Sequence, residues 1–133
     1  MPTDGLATLP SAYSADDTIR RLEAAIEARG LAIFAKIDHA AGAAEVGLAL
    51  RPTFLVIFGN ARAGTPLMQD NQEIGIDLPL KALIWQDAAG KAWVGYNDPA
   101  WLAARHRLGS ETAPAAEALA HGIAALAKEV AGC

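Results

Sequence analysis

The sequence predicts an α+β fold, with helices packed on one face of an antiparallel sheet. An apolar stripe with helical spacing stands near each end of the chain, and strand-like segments lie between them. Two of those strands are joined by residues 87–90, which suit a hairpin and leave no room for a parallel crossover. The chain has 133 residues and is 53% hydrophobic, so we expect a single domain over residues 1–133.

The first segment predicts a strand and a long helix. Residues 5–9 are largely apolar and are closed by Pro10, which favours a short strand. Ser14 can cap a helix that Gly30 ends in the left-handed conformation. The apolar stripe of this helix consists of Ile19, Leu22 and Ile26.

The next segment predicts two strands separated by a short helix. Residues 31–37 have a period of two, which is typical of a strand. One face of this strand takes Leu31, Ile33 and Ile37, and the other takes Phe34 and Lys36. Residues 39–50 are rich in alanine and favour a short helix, whereas Thr53–Gly59 is apolar on both faces and predicts a central strand.

The second half predicts a hairpin and two further helices. Residues 60–64 favour a turn, after which Thr65 and Pro66 can open a short helix through Gln72. A loop then leads to the hairpin strands, residues 80–86 and 91–96. Asn97, Asp98 and Pro99 favour a short helix up to Gly109. A terminal helix is predicted from Pro114 by Leu119, Ile123, Leu126 and Val130.

Charge and hydropathy exclude several classes of function. The net charge of −4 argues against binding to nucleic acid, which clustered Lys and Arg residues drive. Residues 1–5 lack the features of a signal peptide, and the longest apolar run, residues 54–58, has the length of a strand. We therefore expect a soluble cytoplasmic protein without a membrane segment.

Several short strings, in their order and spacing, resemble the bacterial family catalogued as domain of unknown function 302. These strings are Ile37-Asp38-His39-Ala40-Ala41, Leu50-Arg51-Pro52-Thr53, Phe58-Gly59-Asn60, Gly64-Thr65-Pro66-Leu67-Met68, Asp77-Leu78-Pro79-Leu80-Lys81 and Tyr96-Asn97-Asp98-Pro99. The resemblance covers about residues 5–130 and implies the order β-α-β-β-β-β-α around a curved sheet, similar in outline to the TATA-binding-protein-like class. Ala61 stands where relatives often have proline. The family brings no established activity.

Six polar residues at predicted strand ends are candidates for a ligand-binding site. They are Asp38, His39, Asn60, Asp77, Lys81 and Asn97. Each also has a structural interpretation: a helix cap at Asp38, a surface His39, a left-handed turn at Asn60, an ion pair between Asp77 and Lys81, and a helix start at Asn97.

Three functions remain open at this point. The leading hypothesis is a non-enzymatic or accessory module that binds a small molecule. The first alternative is an acid/base enzyme that uses His39 with Asp38 or Asp77, which requires these groups to converge within about 3–5 Å. The second is a homodimer that uses a sheet edge or an aromatic surface.

No metal or cofactor is expected. The spacing of the histidines and the single cysteine matches no common metal motif, and the chain contains no phosphate-binding loop or nucleophile elbow.

The aromatic residues are assigned first to the core and the sheet faces. These are Phe34, Phe58, Trp85, Trp93, Tyr96 and Trp101.

Overall fold

The computed structural model describes residues 3–133. Met1 and Pro2 lie outside the described residues. They are part of residues 1–5, where no signal peptide is predicted. The strands are β1 (Leu6–Pro10), β2 (Ala32–Asp38), β3 (Thr53–Gly59), β4 (Leu80–Gln86) and β5 (Ala92–Asn97). The helices are α1 (Ala15–Ala28), α2 (His39–Glu45), α3 (Ala61–Asp70), α4 (Pro99–Arg105) and α5 (Ala113–Ala131), with a 3-10 helix at Gln72–Asp77. All strand pairs are antiparallel, in the order β1-β5-β4-β3-β2. The predicted α+β class and element order are confirmed.

The core lies between one face of this sheet and the long helices α1 and α5. Both predicted stripes point into it, since Leu22 and Ile26 of α1 are buried together with Val130 of α5. They pack against Val56 and Ile84 of the sheet. Full burial of such a side chain contributes about 1.5–3 kcal/mol, so these stripes hold the two layers together.

Several helix ends are where the sequence places them. The Ser14 hydroxyl accepts a hydrogen bond from the backbone N–H of Asp17 at 3.1 Å. Asp98 caps α4 with Pro99 at its first turn. Gly132 ends α5 with a φ of 81°, a conformation that glycine adopts without strain.

The predicted start of α3 is wrong. The helix begins at Ala61, not after Thr65, because the Asn60 side chain accepts a hydrogen bond from the N–H of Ala63 at 2.8 Å and acts as the cap. Asn60 is extended, with a φ of −147°, so the left-handed turn predicted there is also wrong. Pro66 consequently lies inside the helix. Its missing N–H would have bonded the carbonyl of Arg62, near the helix start.

A bulge in β2 overturns the predicted faces of that strand. Ile33 pairs with Phe58, whereas Ala35 pairs with Ile57, so Phe34 is an extra residue in the ladder. Beyond the bulge the alternation is reversed. Ile37 therefore shares the face opposite to that of Ile33, a change that period-two reasoning cannot detect.

Other differences concern helix length and aromatic burial. The predicted helix over residues 39–50 ends at Glu45, and Gly47 follows with a φ of 77°. The predicted loop around Asp77 contains the 3-10 helix, and α4 stops at Arg105 rather than near Gly109. Phe34 and Trp101 are 56% and 41% exposed, so neither belongs to the core.

Across residues 3–133, no helix combines the length and the apolar composition needed to cross a bilayer.

Candidate functional site

The six candidate residues lie at opposite ends of the sheet. Asp38 at the end of β2 pairs with Phe54, whereas Ala32 at its start pairs with Gly59. A strand of this length spans about 20 Å at roughly 3.3 Å per residue. The Gly59 end holds the other four candidates, Asn60, Asp77, Lys81 and Asn97. The convergence that an acid/base enzyme using His39 with Asp77 would require is therefore not present.

Asp38 and His39 form the start of helix α2. The Asp38 carboxylate accepts a hydrogen bond from the N–H of Ala41 at 2.9 Å and caps α2. His39 is the first residue of that helix and is exposed, and among residues 3–133 its ring has no hydrogen-bond partner. The two side chains do not bond to each other, so they do not form an acid/base pair.

Asp77 pairs with His106, a partner that the sequence did not indicate. Its carboxylate lies 2.5 Å from His106 Nε2 and accepts a hydrogen bond from Arg105 Nη1 at 2.8 Å. Burial alone would raise the pKa of Asp77, but the hydrogen bond from His106 and the charge of Arg105 outweigh it and lower that pKa. The pair ties the 3-10 helix to α4.

The predicted ion pair between Asp77 and Lys81 is wrong. Lys81 Nζ donates to the backbone carbonyls of Asp77 and Pro79, at 3.3 and 3.2 Å, because the carboxylate of Asp77 faces α4. Asn97 ends β5 opposite Leu6 of β1. Neither Lys81 nor Asn97 lines the two apolar cavities beside Asn60.

An apolar cavity of about 290 Å³ lies beside Asn60, between α3 and the loop before β4. Its residues come from the β2 bulge, the end of β3, helix α3, the loop before β4, the start of β4 and the middle of α5. They are Phe34, Gly59, Asn60, Ala61, Ala63, Gly64, Thr65, Met68, Leu78, Pro79, Leu80 and Leu119. Asn60 and Thr65 supply its polar side chains.

A second cavity of about 230 Å³ adjoins the first and runs toward the end of α1. The residues common to both are Gly59, Asn60, Ala63, Leu80 and Leu119. The second cavity adds Arg29 as its charged residue and Gly122 of α5. Because the two cavities share these five lining residues, we name them together the α3–α5 groove. Its size and apolar lining are typical of a site for a small ligand.

Two helical glycines line this groove where a methyl group would fit. A Cβ at Gly64 would lie 3.8 Å from Leu78 Cδ1 and 3.9 Å from Met68 Cε, which is ordinary contact. A Cβ at Gly122 would meet no heavy atom within 4 Å in the described part of the chain. Neither glycine has a positive φ. Backbone conformation and close packing therefore do not require glycine at either position.

The face of the sheet turned away from α1 and α5 is also apolar. Strand pairing assigns to it Ile37, Leu55, Ile57, Leu83, Trp85 and Trp93. Trp85 and Trp93 stack with ring centroids 6.3 Å apart, and Trp93 Nε1 donates to the Asp87 carboxylate at 2.9 Å. We call this surface the open face.

Within residues 3–133, no group of three or more His, Cys, Asp or Glu side chains is placed to hold a metal ion.

The fold and the groove define a small α+β domain with an apolar groove at one end of its sheet. Residues 7–126 match the family described as "Domain of unknown function DUF302", and the chain belongs to that family. The family resemblance in the sequence is thereby confirmed. A solved structure described as an uncharacterized conserved protein DUF302 from Bacillus stearothermophilus has the same fold. Its TM-score is 0.84, at 19% identity over 96% of this chain and 99% of that one.

Relatives in three Brucella species carry names that refer to ion channels. A protein of Brucella suis biovar 1 named "Fluoride-specific ion channel FluC 1" is 48% identical over 128 residues, which are 96% of this chain and 50% of that protein. Proteins of Brucella abortus and Brucella melitensis, named FluC 1 and FluC 2, are also 48% identical over 96% of this chain and 47% of their own length. The chain thus spans about half the length of these relatives.

Proposed function

We propose that this chain is a non-enzymatic accessory domain that binds a small, mainly apolar molecule in the α3–α5 groove. The observation that carries the proposal is the pair of helical glycines, Gly64 and Gly122, on the groove wall. Glycine inside a helix costs about 1 kcal/mol relative to alanine. Because alanine would fit at both positions, retaining glycine keeps space open in the groove at a cost in stability.

The chemistry of the lining favours binding over catalysis. Neither of the two cavities, as the described residues form them, is lined by a histidine, cysteine or carboxylate. Acid/base catalysis needs such a group within hydrogen-bond reach of the reacting atoms. Asp77 and His106 are bonded to each other outside the groove, and His39 lies at the far end of the sheet. An apolar wall with a few polar groups suits retention of a ligand.

The relatives favour the accessory part of the proposal. In the Brucella proteins named as fluoride-specific ion channels, the match to this chain covers about half of the length. We place the channel activity of those proteins in the half outside the match and assign the matched half a ligand-dependent auxiliary role. For this chain, we propose a single domain over residues 1–133 that works in the cytoplasm.

Native mass spectrometry of protein purified from its own host tests this function. We expect a retained small molecule on the wild-type chain and its loss in Leu119→Trp, because Leu119 borders both cavities and tryptophan would fill them. Circular dichroism checks that the variant is folded. A wild-type chain that carries no adduct and is not stabilised by any apolar compound in a thermal-shift screen contradicts the proposal.

The open face supports a second candidate, a homodimer. Five strands at about 4.8 Å spacing and about 20 Å length give roughly 480 Å² per copy, so two facing copies approach the lower limit of about 1,000 Å² for a specific interface. Lys81 is the charged residue that the pairing of β3 with β4 places on this face, and its ammonium group is bound to backbone carbonyls. Two copies could therefore meet there without strong charge repulsion.

Light scattering tests the dimer. We expect a dimer at micromolar concentration and a monomer for Trp93→Lys, which places a charge on the open face at the hairpin end of β4 and β5. The matched control is Trp101→Lys, since Trp101 lies on α4 rather than on the sheet. A wild-type monomer at high micromolar concentration contradicts this candidate.

A further inference from the structure

We infer that the ligand of the α3–α5 groove is an amphiphile with an aliphatic chain and a carboxylate that pairs with Arg29. The inference rests on the proposed function, since it names the class of ligand for the same site. Its basis is the position of Arg29, which supplies the only charged side chain in the lining of either cavity, as the described residues form them.

Arg29 has unused donors. Its Nη1 donates to the carbonyl of Ala25 at 3.3 Å and to the Glu129 carboxylate at 3.0 Å. In the described part of the chain, its Nε and Nη2 groups have no acceptor. A guanidinium has five N–H donors in a planar fork, and the Nε–Nη2 edge matches the two oxygens of a carboxylate. The side chain is 33% exposed, so it borders the groove while remaining accessible.

The rest of the groove suits a hydrocarbon chain. From Arg29 the lining continues along Leu31, Leu119 and Leu80 to Met68. Each methylene buried there should tighten binding about fourfold. A compact anion such as phosphate would leave this apolar space empty and would gain only the contact with Arg29.

Glu129 limits the affinity for the carboxylate. Its side chain holds the Nη1 edge of Arg29 and is 56% exposed, so it lies close to the proposed position of the head group. Like charges at short range repel each other even near a protein surface. Glu129→Gln should therefore strengthen carboxylate binding a few-fold and leave a neutral ligand unaffected.

Calorimetric titration with decanoate and decanol tests the inference on the wild-type chain. We expect decanoate to bind about 10- to 100-fold more tightly than decanol, since a charge-assisted hydrogen bond is among the stronger polar contacts. Arg29→Gln should abolish this preference while decanol still binds. Arg20→Gln is the matched control, because Arg20 lies on α1, of which Arg29 is the C-cap, pairs with the exposed Asp17 and does not line the groove.

The outcomes separate the two proposals. Equal binding of decanoate and decanol to the wild-type chain overturns the carboxylate assignment but supports the apolar groove. A preference for decanoate that survives in Arg29→Gln also overturns the role of Arg29. If neither compound binds, the proposed function fails and the inference fails with it. If Arg29→Gln does not fold, Glu129→Gln replaces it, and an unchanged affinity of that variant for decanoate overturns the role of Arg29.

Discussion

Each end of the sheet carries an aspartate and a histidine, but only one of the two pairs is assembled. Asp38 and His39 are adjacent in the chain, and both face solvent around α2. Asp77 and His106 are 29 residues apart in sequence and lie 2.5 Å apart, with 16% and 9% of their side chains exposed. Adjacent residues at a strand end point in different directions, whereas burial on packed elements brings distant residues together.

The largest predicted difference between the two ends is in stability. We expect His106→Ala to lower the free energy of unfolding by about 2–3 kcal/mol, since it removes a buried side chain and leaves Asp77 with only the exposed Arg105 as a partner. His39→Ala should change it by less than about 0.5 kcal/mol, because an exposed residue is lost. Urea unfolding of both variants checks the comparison. Equal effects of the two substitutions would show that the Asp77 pair does not tie α4 to the 3-10 helix.

Asp77 should also make stability depend on pH. Its folded-state pKa lies below the ordinary value of 3.8, so its contribution is fully present above about pH 5 and is lost as the pH falls through the folded-state pKa. Asp77→Asn should therefore lose stability at neutral pH and show a smaller further loss in acid than the wild type. Denaturation of the wild type and the variant at a series of pH values from 6 to about 2.5 measures this difference. If both proteins lose the same amount of stability as the pH falls, the prediction is contradicted.

The smallest predicted effects come from the helix caps. Asn60→Ala should cost about 1 kcal/mol, because α3 carries the buried Leu67 and cannot unwind without exposing it. Asp38→Ala should cost less, because α2 has no buried residue among those described and can fray alone. Thermal unfolding of the two variants shows which substitution lowers the stability more. A larger loss for Asp38→Ala would mean that α2 contributes more to the fold than its exposure indicates.

The sequence predicts the layers better than it predicts the site. The apolar stripes of α1 and α5 specify which helix faces are buried, and their spacing in the sequence reveals them. Caps such as Ser14 and Asp98 bond to N–H groups a few residues away, so the local sequence reveals them too. The bulge at Phe34 depends on pairing with β3, which a single strand does not encode.

The start of α3 was missed for a different reason. Thr65 and Pro66 carry a strong local signal for a helix start, but the competing cap at Asn60 satisfies an N–H group of a longer helix.

The α3–α5 groove arises from parts of α3, α5 and three strands, so only the structure could locate it. Of the six candidates, Asn60 alone lines it.

Alanine at the groove glycines tests the central claim most directly. Gly64, Gly122 and Gly42 are all helical, and at each position a methyl group is free of clashes, but only the first two border the groove. We expect all three alanine variants to be as stable as the wild type or more stable by up to about 1 kcal/mol.

Decanol titration monitored by methyl NMR at Leu119 and Met68 gives the decisive comparison. Gly64→Ala and Gly122→Ala should each weaken binding several-fold because they occupy ligand space, whereas Gly42→Ala should bind as the wild type does. If all three variants bind decanol equally well, or if the methyl shifts of Leu119 and Met68 do not respond, the α3–α5 groove is not a ligand site.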